Sequence, residues 1–342
     1  MAGETVLVTG ATGFIASHVV LALLKKGYKV RGTARSASSG SKLNQTLSDF
    51  AGEPIDIEIF EADLRRDEGW AEAVQGCAYV HHVASPIPAK LPRDENELIV
   101  PARDGALRVL KASKAAGVRR VVLTSSVVAI AYGRAGPLPD QMDETNWTDP
   151  EILADNNAYS RSKVFAERAA WDYVKGEGQG LELTTVHPAA VLGPVMSGDF
   201  STSLEVITQL MGGKLPAVPK MGFQLVDVRD VADLHVLAMQ APEAAGERFI
   251  AAEEFFWFSD LAEELRAAYP SHAKKIPKGQ LPNGIVRLLS TFNPVLKQVA
   301  HELGKKRVVS NEKAKRMLGW KPIPAIDAAK ASADSLIKHG VV

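Results

Sequence analysis

Val6–His18 reads VLVTGATGFIASH. The apolar run Val6, Leu7, Val8 predicts a buried strand that stops at Thr9-Gly10. Gly13 follows, and Phe14, Ile15 and Ala16 start a helix at once. Such a turn leaves backbone N–H groups at the positive end of a helix dipole, a place that suits a pyrophosphate. Gly10 permits the tight turn, Gly13 lets phosphate come close, and small Ala16 lets helix pack on strand. Thr9, Thr12, Phe14 and Ile15 complete the candidate cofactor turn. The spacing is G-x-x-G-x-x-A rather than the dinucleotide fingerprint G-x-G-x-x-G/A, and a purely structural turn is the plain alternative. A second strand starting at Lys29 supplies the strand–turn–helix–strand context that a nucleotide site requires.

The 342 residues suggest two domains, or one large domain with a smaller lobe. Lys+Arg 40 balances Asp+Glu 40, and no basic stripe stands out, which argues against a nucleic-acid partner. The one cysteine, Cys77, has no internal disulfide partner, as expected in a reducing cytoplasm. It reads as a small buried residue after Gly76, with a reactive thiol as the alternative. No apolar run reaches membrane-span length, and Met1–Thr5 leads straight into the first strand, so neither a membrane nor a signal peptide is expected. There is no H-E-x-x-H and no cysteine pair, so no metal site is expected. His81 and His82 lie on a strand, where neighbouring side chains point to opposite faces. No G-x-S-x-G elbow is present, which weakens a hydrolase reading.

Strands and helices alternate along the chain. Strand-like runs are Thr5–Val8, Lys29–Thr33, Asp56–Phe60, Ala78–His82, Val118–Thr124 and Leu183–Val186. Helix-like runs are Phe14–Lys26, Asp67–Val74, Glu95–Ala116 and Asn157–Lys175. The alternation predicts an α/β fold: a Rossmann-type doubly wound parallel sheet. The strands are almost wholly apolar, as helices on both faces demand. After Pro188 the texture changes, with Pro194, Pro216 and Pro219 breaking the pattern. Helices are expected at Asp230–Met239, Ser259–Tyr269 and Ser310–Leu318, and strands near Phe223–Val226 and Glu247–Ile250. The expected division is a cofactor domain of residues 1–187 plus about 223–252, and a smaller α/β substrate lobe of 188–222 and 253–342.

The second strand runs into Arg31-Gly32-Thr33-Ala34-Arg35-Ser36. An NAD site usually carries Asp or Glu here for the ribose hydroxyls. Arg35 stands there instead, and a guanidinium can fork onto a 2′-phosphate and stack on adenine. Lys42 would add a second positive charge. The position favours NADP(H) over NAD, with a solvated basic loop as the alternative. After the third strand, Asp63 and Leu64 are placed to meet the adenine, although Asp63 also reads as a helix cap. After the fourth, Val83, Ala84 and Ser85 let backbone approach a cofactor, or simply turn.

Tyr159 and Lys163 sit four residues apart on a predicted helix, hence on one face. A phenol with a pKa of about 10 is a poor acid–base at neutral pH. A nearby cation favours the phenolate and should lower that value. The fifth strand ends Leu123-Thr124-Ser125-Ser126, at the carboxyl edge where cofactor and substrate would meet. A Ser126 hydroxyl there can donate to a carbonyl oxygen while Tyr159 delivers a proton.

These stretches carry a resemblance. VLVTGATGFIASHVV, YKVRGTARS, EADLRRDEGWAEAVQGC, HHVASP, RRVVLTSS, AYSRSKVFAERAAW, HPAAVLGP and KAKRMLGWKP are similar to the extended short-chain dehydrogenase/reductases from end to end. The chain looks closest to the dihydroflavonol-reductase-like group, with cinnamoyl-CoA reductases and microbial aldehyde and ketone reductases. The resemblance implies a catalytic triad of Ser126, Tyr159 and Lys163. Tyr159 would donate the proton, Ser126 would polarise the carbonyl, and Lys163 would bind the nicotinamide ribose and lower the Tyr159 pKa. Val191, in the segment that also holds Pro188, would hold the carboxamide through its backbone. Thr124, at the strand end, would line the cofactor. Asn157 is given no role.

The plant flavonoid enzymes carry an asparagine five residues after the serine, where this chain has Ala131. Gln224 matches a second polar contact of that group. With Val127, Val128, Ala190 and Phe223, the expected substrate wall is apolar, for a hydrophobic or aromatic ketone or aldehyde. Tyr132-Gly133 resembles a YG of nucleotide-sugar epimerases, offset by two residues. The expected function is NADPH-dependent carbonyl reduction by a monomer or homodimer. The alternatives are a sugar-nucleotide epimerase or dehydratase with bound NAD, and a non-catalytic NADP-binding redox sensor.

Overall fold

A computed structural model describes residues 3–86, 92, 94–197, 204–291 and 300–342. The strands are β1 (Thr5–Val8), β2 (Lys29–Ala34), β3 (Glu58–Glu61), β4 (Tyr79–His82), β5 (Arg120–Thr124), β6 (Glu182–Pro188), β7 (Ala190–Leu192), β8 (Ala217–Pro219), β9 (Gly222–Asp227), β10 (Arg248–Ala251), β11 (Phe255–Trp257) and β12 (Gly279–Leu281). The helices include α1 (Phe14–Lys25), α2 (Ala37–Ala51), α3 (Trp70–Val74), α4 (Asn96–Ala115), α5 (Val128–Ala131), α6 (Ala158–Lys175), α7 (Glu205–Met211), α8 (Val228–Gln240) and α9 (Phe258–Ala268). Shorter pieces follow at Asn283–Ser290 and Glu312–Leu318, and a longer helix closes the chain at Ala325–Lys338.

Seven strands form one parallel sheet in the order β10-β6-β5-β4-β1-β2-β3. The order reverses between β1 and β4, because the chain runs outward through β2 and β3 and then returns to the other side of β1. Open α/β sheets bind ligands in the crevice that this reversal opens at the carboxyl ends of the strands. Val6, Leu7, Val8, Val80, Val121 and Val122 are fully buried, as helices on both faces require. Helix α8 packs against α1 on one face, and α4 against α6 on the other.

Just past β6 the chain steps through Ala189 into β7 and so leaves the large sheet. β7 pairs parallel with β9, and β9 pairs antiparallel with β11, making a second small sheet. A second apolar cluster forms there, from Leu192, Ile207, Leu225, Leu265, Ala329 and Leu336 among others. β9 therefore lies with the small lobe, while α8 and β10 of the same stretch lie with the large sheet. The helix-like runs read from the sequence include none between β2 and β3, yet α2 fills that stretch. Its run of Ser, Asn, Gln and Thr hides the apolar stripe of Leu43 and Leu47 that packs inward. No helix among the described residues is long and apolar enough to cross a membrane.

Candidate active site

A cleft of about 600 Å³ runs along the carboxyl ends of the large sheet, centred on the reversal between β1 and β4. At one end lies the turn of Gly10 and Gly13. Gly10 has φ +62, and a Cβ on it would stand 3.0 Å from the Cβ of Ala84. Gly10 thus serves both the left-handed backbone and the close approach of the β1 and β4 loops. Gly13 has ordinary φ and is the N-cap of α1. No side chain caps that helix and no acid lies in its first turn, so its leading N–H groups face the cleft beside Thr12, Phe14 and Ile15. This donor set suits an anion.

Thr9 is buried behind this turn rather than in it. Its hydroxyl bonds His82 Nδ1 at 2.9 Å and accepts from the Ala84 N–H at 3.0 Å, tying β1 to the loop after β4. Val83, Ala84 and Ser85 line the cleft. At the far end Arg35 is exposed, lines the cleft and has no carboxylate partner among the described residues. Ser36 next to it caps α2, whose first turn has no acid, so a second helix N-terminus adjoins the guanidinium. Lys42 is exposed on α2 and is not among the residues lining the cleft.

Asp63 and Leu64 also line the cleft. The Asp63 carboxylate accepts from the Arg65 backbone N–H at 2.9 Å, from Nε at 3.0 Å and from NH2 at 2.7 Å. The Arg65 guanidinium holds the carboxyl far below the usual range. Asp63 therefore stays an acceptor-only group, fixed by its neighbour. Asp227 and Arg229 repeat this arrangement at the start of α8, where it serves as a cap.

Thr124, Ser126, Tyr159, Lys163, Pro188 and Val191 meet at the middle of the cleft. Asn157 starts α6 with a capping box: its side chain accepts from the Ser160 N–H at 2.9 Å, and Ser160 Oγ accepts from the Asn157 N–H at 3.0 Å. That fixes the first helical turn, which carries Tyr159. Lys163 is buried; its Nζ donates to the Thr124 carbonyl at 3.3 Å and stands 6.0 Å from the Tyr159 ring centre. Ser126 Oγ donates to the Pro188 carbonyl at 3.4 Å and accepts from the Val128 N–H at 3.3 Å.

The electrostatics correct one expectation. Burial raises the Tyr159 pKa, and the opposing influence is a hydrogen bond with Ser126 rather than the Lys163 charge. Burial also brings Lys163 down to about 8, with the Glu167 carboxylate opposing that fall. The reason is that desolvation disfavours both charged forms, phenolate and ammonium alike.

The expected substrate wall is drawn together less closely. Val127 packs into a cluster with Ile130, Met142 and Val309, and its N–H donates to Pro188. Ala131 is buried in that cluster, and its carbonyl accepts from Arg307 at 2.7 Å. Gln224 spends its amide on backbone: Nε2 donates to Glu253 and Val309 carbonyls at 2.8 and 3.0 Å, and Oε1 accepts from the Val309 N–H at 2.6 Å. Phe223 stacks edge-on against Phe258, and Ala190 packs into the small lobe. Instead Ala189, Pro86, and Leu98 and Pro101 of α4 stand in the cleft wall. Leu98 and Pro101 are three residues apart on a helix, a face that was legible only as amphipathic and not as site-facing. Among the described residues no group of three or more His, Cys, Asp or Glu could hold a metal ion.

Residues 6–252 match the family described as NAD dependent epimerase/dehydratase. A cinnamoyl-CoA reductase, CAD2, of Medicago truncatula is 38% identical over 272 residues, covering 79% of this chain and 82% of that protein. The ketoreductase azaE of Aspergillus niger is 34% identical over 301 residues, covering 82% of this chain and 87% of its own. The crystal structure of yeast methylglyoxal/isovaleraldehyde reductase Gre2 complexed with NADPH superposes with a TM-score of 0.80 at 29% identity, covering 99% of this chain and 100% of that one. Match, relatives and the glycine turn at the sheet reversal lead to one conclusion: this chain belongs to the NAD dependent epimerase/dehydratase family.

Proposed function

We propose that this protein is an NADPH-dependent carbonyl reductase that converts a hydrophobic or aromatic ketone or aldehyde to an alcohol, with Tyr159 as proton donor. It is an oxidoreductase of the reductase kind, in keeping with the reductases it resembles. The observation that carries the reading is the meeting of Ser126, Tyr159 and Lys163 midway along a cleft with an anion-binding turn at one end and Arg35 at the other.

The residues fit NADP(H). The uncapped N-terminus of α1 and Gly10–Gly13 would hold the pyrophosphate, and Asp63 would accept from the adenine amino group. Arg35 and the capped start of α2 would hold the 2′-phosphate. The backbone of Val191 and the Lys163 ammonium would hold the nicotinamide end. When bound, the cofactor supplies a hydride to the carbonyl carbon. The chain then has to supply a proton to the oxygen. A phenol kept protonated by burial is the right species for that transfer, and Ser126 can donate a second hydrogen bond to the same oxygen.

The test is a panel of aryl and alkyl ketones and aldehydes, followed by loss of reduced-nicotinamide absorbance. Tyr159→Phe should lower kcat at least about 100-fold on any compound reduced, the scale of one general acid. Wild-type turnover by Tyr159→Phe would reject the mechanism.

A further inference from the structure

Behind the catalytic cleft, one buried carboxylate joins four elements. Glu167 lies on α6 one turn beyond Lys163 and is 1% exposed. Its oxygens accept from Ser125 Oγ on the β5 end at 2.6 Å and from His187 Nε2 on β6 at 2.8 Å. They also accept from Arg248 Nε on β10 at 2.8 Å, with longer bonds from Thr185 Oγ1 at 3.4 Å and Trp171 Nε1 at 3.3 Å. Ser125 directly precedes Ser126. His187 directly precedes Pro188, whose carbonyl accepts from Ser126. The proposed site uses none of these groups as reactants, yet Ser125 and His187 each adjoin in the chain a residue that lines it. A buried carboxylate must have its oxygens satisfied, and here the donors come from the ends or lengths of three separate strands, so the acid ties α6 to them.

We propose that Glu167 is a positioning residue for the reductase reaction: it locks the helix carrying Tyr159 and Lys163 onto the strand ends carrying Ser126 and Pro188, and presents its charge to Lys163. The inference rests on the reading of Tyr159 and Lys163 as reactive groups. The groups facing the pair are Ser125 on β5, Thr185 and His187 on β6, Arg248 on β10, and His82 on β4. Of these, the His82 ring is held uncharged chiefly by its burial, with the Lys163 charge acting in the same direction, and Glu144 lies beyond His187. Burial alone drives Lys163 toward the neutral amine, and Glu167 is the charge that opposes it. Removing that charge while keeping the shape should therefore leave Lys163 neutral at a lower pH.

Glu167→Gln is the probe, with Glu167→Asp as the charge-keeping control. The first readout is independent of turnover. Competitive acetylation of Lys163 in the full chain, read by peptide mass across a pH series, gives the pH of half-reaction. In Glu167→Gln it should fall by about one unit, and in Glu167→Asp it should stay near wild type. The second readout is the pH profile of kcat on the best carbonyl from the panel. There kcat should drop about tenfold with KM within about threefold, and the basic limb should move down with the labelling pH. An unmoved labelling pH together with kcat within twofold of wild type would overturn the proposal. Loss of activity only in step with loss of folded protein, at an unmoved labelling pH, would also overturn it. Should Glu167→Gln not fold, Ser125→Ala removes one donor without leaving a charge unpaired. It should lower kcat about fivefold with an unmoved limb, and an unchanged kcat would count against the proposal. Tyr159→Phe in the same assay separates the two claims. If it stays active, the reductase mechanism fails; if it is inactive while Glu167→Gln behaves as wild type, only the role of Glu167 fails.

Discussion

At Tyr159 two effects compete, and burial wins over the neighbouring hydroxyl. The phenol is held protonated, which on the proposed mechanism suits reduction and would slow the reverse oxidation at neutral pH. Arg35 and Arg65 make a paired prediction at the same scale. Among the described residues Arg35 has no carboxylate partner, so on the proposed reading Arg35→Ala should weaken NADPH at least about tenfold while leaving NADH nearly unchanged, because only a 2′-phosphate would be lost as a partner. Arg65 instead braces Asp63, on the side proposed for the adenine. Arg65→Ala should therefore weaken NADPH and NADH by a similar factor of about three to ten, the cost of loosening one acceptor. Fluorescence titration with both nucleotides checks the pair. Equal losses for Arg35→Ala, or a selective loss for Arg65→Ala, would reject the assignment. Tyr159, Arg35 and Asp63 were legible in the chain. The role of Arg65 was not, because Asp63 reads equally as a helix cap and as an adenine ligand until the guanidinium is placed.

Helix α6 is the element on which the site depends, and its start is set by Asn157. Asn157→Ala removes the acceptor for the Ser160 N–H and should cost about 1 kcal/mol. In a chain of this length that corresponds to a fall in Tm of about 1–2 °C, measurable by calorimetry. Turnover should fall by more than the folded fraction does, since the first turn also aims Tyr159. An unchanged Tm would show that Ser160 and Asn156 hold the turn without Asn157. The pattern N-x-x-S before an amphipathic run is a readable helix start, so this role was available in the sequence. Helix α2 was not, because its polar face outnumbers its apolar stripe and only packing beneath β2 and β3 selects the helix.

Across the whole molecule, folding buries several histidines as neutral rings. His18 and His235 are brought down to about 4 and His82 to about 3, while His81 falls well below its ordinary value, all chiefly by burial. A depressed native pKa means that the unfolded chain takes up protons first as pH falls. These rings therefore contribute stability above about pH 6.5 that is lost progressively as pH falls from there, through about pH 4 for His18 and His235 and about pH 3 for His82. Asp230, raised to about 6 by burial, works in the opposite direction over part of that window. Glu144, Asp233 and Glu253, also raised by burial, oppose the rings in the same way, but the larger displacement of four rings should leave a net fall in Tm between pH 7 and pH 4. Thermal unfolding in a buffer series checks it, and a flat Tm would show that these rings are not buried neutral.

The alternation of apolar strands with amphipathic helices, and the glycine turn between the first of them, determined the doubly wound sheet and the place of its cleft. Both follow from local rules: period, turn geometry and the need to cover apolar strand faces. Ser126, Tyr159 and Lys163 were also readable, because strand ends and helix spacing put them at one edge. What only the tertiary structure decided is what surrounds them. Gln224 and Ala131 are occupied by Val309 and Arg307, which lie far along the chain. Leu98 and Pro101 enter the wall instead. The charge balance at Tyr159 turns on burial and not on sequence spacing, since desolvation depends on every element packed around a group and a spacing of four residues records only one neighbour.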